Sequence, residues 1–123
     1  MTERSAPNDP HPTSRFEPGQ VVTVFRSRLA TTGATPGVPD GYPEMADRMV
    51  ELGTSMPGFV DFKTFTADDG ERLAVITFAD EQSQLAWRRQ NEHALAQEAG
   101  RQRFYDEYSL QVCTCDRVST FDR

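Results

Sequence analysis

The chain has 123 residues, enough for one domain with a modest core, and its formal net charge is −6 at pH 7. That acidic balance argues against a phosphate-binding surface, so no nucleic-acid partner is expected. Apolar runs of about 18 residues are absent, so no membrane span is expected. The first residues lack the basic start and apolar stretch of a secretory signal, which points to the cytoplasm.

Residues 1–19 hold Pro7, Pro10, Pro12 and Pro18 among polar neighbours and offer little to bury. They read as a disordered leader, followed by a domain over 20–118 and a short tail at 119–123. Residues 21–29 have strand propensity throughout. Alternation places Val21, Thr23, Phe25, Ser27 and Leu29 on one face, with Val22, Val24, Arg26 and Arg28 on the other. Both faces are partly apolar, so this strand is expected in the middle of a sheet. Turn-forming residues at 31–39 predict a flexible loop.

Residues 40–55 carry Tyr42, Met45, Ala46, Met49, Val50 and Gly53 at three- and four-residue steps, the stripe of an amphipathic helix. Asp40 is the expected cap, Pro43 fits the first turn, and Pro57-Gly58 ends the helix. Residues 59–66 and 72–78 predict two strands joined by a hairpin turn at Ala67-Asp68-Asp69-Gly70. Unbroken alternation puts Phe59, Asp61, Lys63 and Phe65 on one face, and Val60, Phe62, Thr64 and Thr66 on the other. On the next strand Leu73, Val75 and Thr77 oppose Ala74, Ile76 and Phe78.

A long polar and aromatic segment, 79–108, follows, with Asp80 as its cap and a break expected at Gln90-Asn91-Glu92, where Asn91 could cap a second piece. A last strand is expected from about 108 to 117, with Leu110, Val112 and Thr114 on one side. Cys113 and Cys115 lie two apart on that strand, too far apart for an easy disulfide, and lack further ligands at metal spacing. They read as ordinary reduced thiols. Neither a glycine-rich phosphate loop nor a His–Glu metal motif occurs, so no cofactor is expected from motifs.

The resulting order, β-α-β-β-α-β, predicts the α+β class: a ferredoxin-like split antiparallel sheet with two helices on one face. The second face keeps apolar residues and needs a cover, so a homodimer joined through the sheets is expected.

Several stretches resemble the antibiotic biosynthesis monooxygenase domain family. They are Met56-Pro57-Gly58-Phe59 closing the first helix, the run ThrPheAlaAspGluGlnSerGlnLeuAlaTrp at 77–87, and residues 92–112. The similarity spans about 20–118 and implies a dimeric α+β barrel. The family includes enzymes that oxidise aromatic polyketides with O2 and no cofactor, haem-degrading proteins, and proteins that act on quinols or respond to stress. In the haem degraders, an Asn on the first strand, a Trp on the second helix and a His ten residues later carry the chemistry. Those positions fall here on Ser27, Trp87 and Gln97. Only the Trp is kept, and Gln is a poor iron ligand, which disfavours haem binding or degradation. Relatives with His-Pro-Glu-His after the Trp have Gln90-Asn91-Glu92-His93 here, so the second His is retained.

Cofactor-free oxygenation asks the protein to hold an electron-rich ring away from water, take its proton and stabilise the anion. Trp87 suits ring stacking, although it could equally plug the gap between helix and sheet. His93 titrates near neutrality and is the candidate base; a structural histidine is the alternative. His93, Gln97 and Arg101 fall at four-residue steps, so an amide and a cation would share its side of a helix. Phe25, Ser27, Phe62, Phe78 and Tyr105 are candidate substrate-binding walls, with the Phe25/Ser27 face chosen on the family's strand-one position. By default Arg88, Arg89, Arg101 and Arg103, balanced by Glu81, Glu92, Glu98, Asp106 and Glu107, read as a solvated, ion-paired face. The expected function is oxidation of a small aromatic molecule, a polyketide among the candidates, by O2. The alternative is a non-catalytic dimer that binds a small hydrophobic ligand.

Overall fold

The computed structural model describes residues 15–31, 38–97 and 104–123, the side chains of 92–97 excepted. Its elements are β1 (Val21–Leu29), α1 (Tyr42–Ser55), β2 (Phe59–Thr66), β3 (Arg72–Phe78), α2 (Glu81–Gln97) and β4 (Tyr105–Thr114). The strands form one antiparallel sheet in the order β2-β3-β1-β4, the ferredoxin-like arrangement. β1 is central, with Phe25 opposite Ala74 of β3 and Leu110 of β4. Both helices lie over the Phe25/Ser27 face. Gln84 of α2 is buried there, and its amide donates to Thr23 Oγ1 at 3.1 Å. That bond satisfies two polar groups that burial would otherwise leave unpaired.

The expected strand bounds at 21–29, 59–66 and 72–78 agree with the structure, and so does the turn, where Gly70 has φ 90° and its N–H donates to Ala67 O. The side-chain sorting of β2 differs. Phe59 pairs with Phe78, Asp61 with Thr77 and Phe62 with Ile76, so Val60 is an extra residue in the ladder. The bulge resets the alternation. Phe59 therefore joins Phe62 on the helix side, where its ring meets Phe78 edge-on at 6.0 Å, while Asp61, Lys63 and Phe65 face away.

Three helix and strand limits also differ from expectation. α1 starts at Tyr42 behind Gly41, whose left-handed φ of 85° makes it the N-cap without a side-chain bond. Its first amide donors go to the Pro39 and Gly41 carbonyls rather than to Asp40. α2 runs unbroken from Glu81 to Gln97, so Asn91 lies inside the helix; Asp80 caps it as expected, accepting from Ser83 N–H at 2.8 Å. β4 begins at Tyr105 and ends at Thr114. Phe104 is buried in the core and its carbonyl accepts from Ala30 N–H, which holds Tyr105 beside Leu29.

The fold takes in residues before position 20. Arg15 and Gln20 are buried: Arg15 pairs with Asp61 at 3.0 Å, and Gln20 donates to the Arg15 carbonyl at 2.9 Å. Gly19 N–H donates to Cys115 O, and Cys115 N–H returns a bond to Gln20 O. These partners let polar residues enter the fold where composition suggested only a leader; residues 1–14 of that leader lie outside the described part. Cys113 and Cys115 are free thiols. Among the described residues, no helix is long and apolar enough to cross a membrane.

Candidate functional site

The helix side of the sheet supports two apolar clusters. Met45, Met49 and Phe104 anchor one, with Tyr42, Leu52 and Tyr105 packed against them. Ile76, Phe78 and Trp87 anchor the other, joined by Met56, Phe59, Phe62 and Ala74. A cavity of about 120 Å³ draws its walls from both. Its aromatic wall is Phe25, Tyr42, Phe62, Trp87 and Tyr105; Met45 and Met49 add flexible apolar surface. The exposed lining residues Val50, Thr64 and Leu110 mark its open side.

Trp87 is only 4% exposed and tilts against Phe78 at a centroid distance of 5.5 Å. The indole fits because α1 has a glycine beside it. A Cβ at Gly53 would lie 3.1 Å from Trp87 Nε1 and 3.5 Å from Phe62 Cδ2. Trp87 Nε1 is buried without a hydrogen-bond partner among the described residues, and so is Asn91 Oδ1, one turn further along α2. Both residues line the cavity. A donor and an acceptor kept out of water unpaired cost on the order of 1–3 kcal/mol each, which a polar ligand atom would recover.

Tyr42, Tyr105 and Phe25 form a chain of edge-on rings, 6.1 Å and 5.4 Å between centroids. Arg72 closes it, with its guanidinium carbon 5.6 Å from the Tyr42 ring centre. Burial pushes the Tyr105 phenol well above its ordinary range; the Tyr42 phenol adds to the shift and Arg72 opposes it. Tyr105 is therefore a neutral phenol at neutral pH, able to offer a hydrogen bond. No Asp or Glu occurs among the described lining residues. Nor does any group of three His, Cys, Asp or Glu among the described residues lie close enough to hold a metal ion.

Of the residues singled out from sequence, Phe25, Ser27, Phe62, Trp87 and Tyr105 line one cavity. Phe78 does not line it. It is fully buried behind the indole, which it supports from the sheet. Tyr105 reaches the site from the start of β4 rather than from a helix end. His93 and Gln97 belong to α2, but their side chains lie outside the described residues, as does all of Arg101. Sequence reasoning passed over Arg72 and read Asn91 as a cap. Hairpin parity could have found the first, since Arg72 shares the side of Ala74 and Ser27. Helical spacing could have found the second, four residues after Trp87.

No family model matches the chain. A relative in Bacillus subtilis, the uncharacterised protein YqjZ, is 35% identical over 81 residues, 66% of this chain and 71% of its own length. Among solved structures, a variant of SnoaB, a cofactor-independent oxygenase from Streptomyces nogalater, matches with a TM-score of 0.61 at 17% identity, over 81% of this chain and 96% of that one. A candidate antibiotic biosynthesis monooxygenase from Chloroflexus aurantiacus matches with a TM-score of 0.50 at 16% identity, over 80% of this chain and 97% of its own. The chain belongs to the family of the Bacillus subtilis protein YqjZ and has the fold of the antibiotic biosynthesis monooxygenases.

Proposed function

We propose that the chain is a cofactor-independent monooxygenase-like protein that oxidises an aromatic molecule with O2 in the Trp87 cavity. The observation that carries this reading is an aromatic-walled cavity with two buried polar atoms, Trp87 Nε1 and Asn91 Oδ1, that lack partners among the described residues. The likeness to a cofactor-independent oxygenase supports it at the level of fold. In this chemistry a ring-activated CH2 loses a proton, the anion reduces O2, and recombination followed by loss of water leaves a carbonyl. One oxygen atom enters the product and the other leaves as water. Trp87 stacks on the ring, Phe25, Ser27 and Phe62 shape the slot, His93 takes the proton, and Gln97 with Arg101 stabilises the anion.

Oxygen uptake with a hydroxyanthrone, whose ring-activated CH2 becomes the carbonyl, tests the assignment. Turnover is expected to fall about 100-fold or more in His93→Ala, the scale of a lost general base. Full turnover in both His93→Ala and Trp87→Phe would place the chemistry elsewhere. A binding-only role is favoured by one observation: the described lining residues include no base that works near neutrality. It predicts a ligand-raised melting temperature with no oxygen uptake.

The protein acts as a homodimer in this proposal. The sheet face away from the helices carries Val22, Val24, Leu73 and Val75, all half-buried, and Phe65, 47% exposed. A second copy is the natural cover for such a face. Sedimentation should give a dimer, and Phe65→Asp should shift it towards monomer.

A further inference from the structure

The β2–β3 hairpin sorts its charges between the two faces of the sheet. Arg26 and Arg28 lie on the far face, where Glu71 and Asp69 close on them at 2.7 Å and 2.8 Å, and Glu107 reaches Arg28 at 3.3 Å. Both acids nearest to Arg72 along the chain are thus engaged on the opposite side. Arg72 pairs with Ser27 in the ladder and lines the cavity. Its contact there is the Tyr42 ring, and no carboxylate lies within ion-pair distance of it among the described residues.

In a chain of net charge −6, a cavity whose lining includes a cation and no described carboxylate is a selective feature. A guanidinium stacked on an aromatic face keeps its N–H edge for a planar oxygen acceptor, and such charge-assisted pairs are the strong ones. The volume sets the other limit. A closed cavity of about 150 Å³ accepts benzene, so this one, at about 120 Å³ and open on one side, has room within its walls for no more than a single ring. We propose that Arg72 is the anion-binding group of the cavity, and that the ligand is a single aromatic ring bearing one carboxylate or phenolate oxygen rather than a fused polycycle. This rests on the reading of the cavity as the substrate site. Held this way, the anionic oxygen meets Arg72 while the ring lies among Phe25, Phe62 and Trp87.

Calorimetric titration of the full chain with 4-hydroxybenzoate, its neutral amide and a three-ring hydroxyanthrone tests the proposal, with quenching of Trp87, the only tryptophan, locating the site. The acid is expected to bind at least about tenfold more tightly than the amide. R72Q should erase that preference by bringing the acid down to the affinity of the amide, while R72K, which keeps the charge, should retain part of it. Equal binding of acid and amide by the native chain overturns the proposal, as does an R72Q variant that weakens both alike. Tightest binding of the hydroxyanthrone overturns it too. If none of the three binds, the cavity is not a ligand site, and the functional reading falls with the proposal.

Discussion

Replacing Gly53 by alanine tests what holds the indole in place. Helix propensity alone favours the change by about 1 kcal/mol, because alanine restricts the unfolded chain and suits an α-helix. The new methyl carbon, however, would sit 3.1 Å from Trp87 Nε1 and 3.6 Å from Cδ1. Relaxed contacts need about 3.5–4.0 Å, so the indole must retreat by a few tenths of an ångström. Its other face rests on the fully buried Phe78, which leaves little room. Overpacking of this kind costs about 1–3 kcal/mol. Gly53→Ala should therefore be neutral to about 2 kcal/mol less stable in urea unfolding, with shifted tryptophan emission and weaker ligand binding. A variant that gains the full 1 kcal/mol with unchanged emission would refute the claim that α1 seats the indole.

Gly58 should tolerate alanine even less: its φ is 82°, and a Cβ would collide with Ser83 at the start of α2, so a loss of about 1–3 kcal/mol is expected in the same assay. Acid should weaken the fold through three carboxyls held below their usual range: Asp69 by Arg28, Glu71 by Arg26, and Asp80 by the Ser83 amide. Their contribution is complete above the unfolded value near about 4 and is lost as pH falls through the lower folded values. Melting curves from pH 7 to 2 should thus show a shallower acid decline in Arg26→Gln or Asp80→Asn than in the native chain. Alkali acts through Tyr105, whose folded phenol is raised. Its contribution is complete below about pH 10 and declines above that, as the unfolded chain releases the proton first, so Tyr105→Phe should flatten the alkaline limb.

Much of the fold could be read from local chemistry. Alternation and the Asp69-Gly70 turn located β1, β2 and β3, because two-residue periodicity and turn preferences are properties of neighbouring residues. Parity grouped Phe25 with Ser27, but that this face meets the helices came from the family's strand-one position, since alternation alone does not say which face is covered. What parity does not encode is a ladder defect: Val60 adds a residue to β2, so Phe59 changed sides. Depth is also invisible to it. Phe78 shares the face of Phe25 but lies near the end of β3, inside a packed cluster rather than on the cavity wall. Residues 104–108 fit a helix end or a strand start equally well by composition; tertiary anchoring of Phe104 decided the matter. Arg72 and Asn91 escaped notice because their significance comes from what does not touch them, and only packing reveals that.

The extra residue at position 60 makes the length of β2 a matter of chemistry as well as reach. Removing Val60 itself would shorten the strand by only about 3.4 Å and close the bulge, leaving Phe59 opposite Phe78 and Phe62 opposite Ile76. A deletion further along, at Lys63, acts differently: with the hairpin end fixed, Phe62 would leave the cavity wall and the ionised side chain of Asp61 would be driven towards the helices. Single-residue deletions should thus be tolerated at the bulge and excluded beyond it during divergence, whereas the Ala67–Gly70 connection, exposed throughout, can lengthen without disturbing which surface either strand presents.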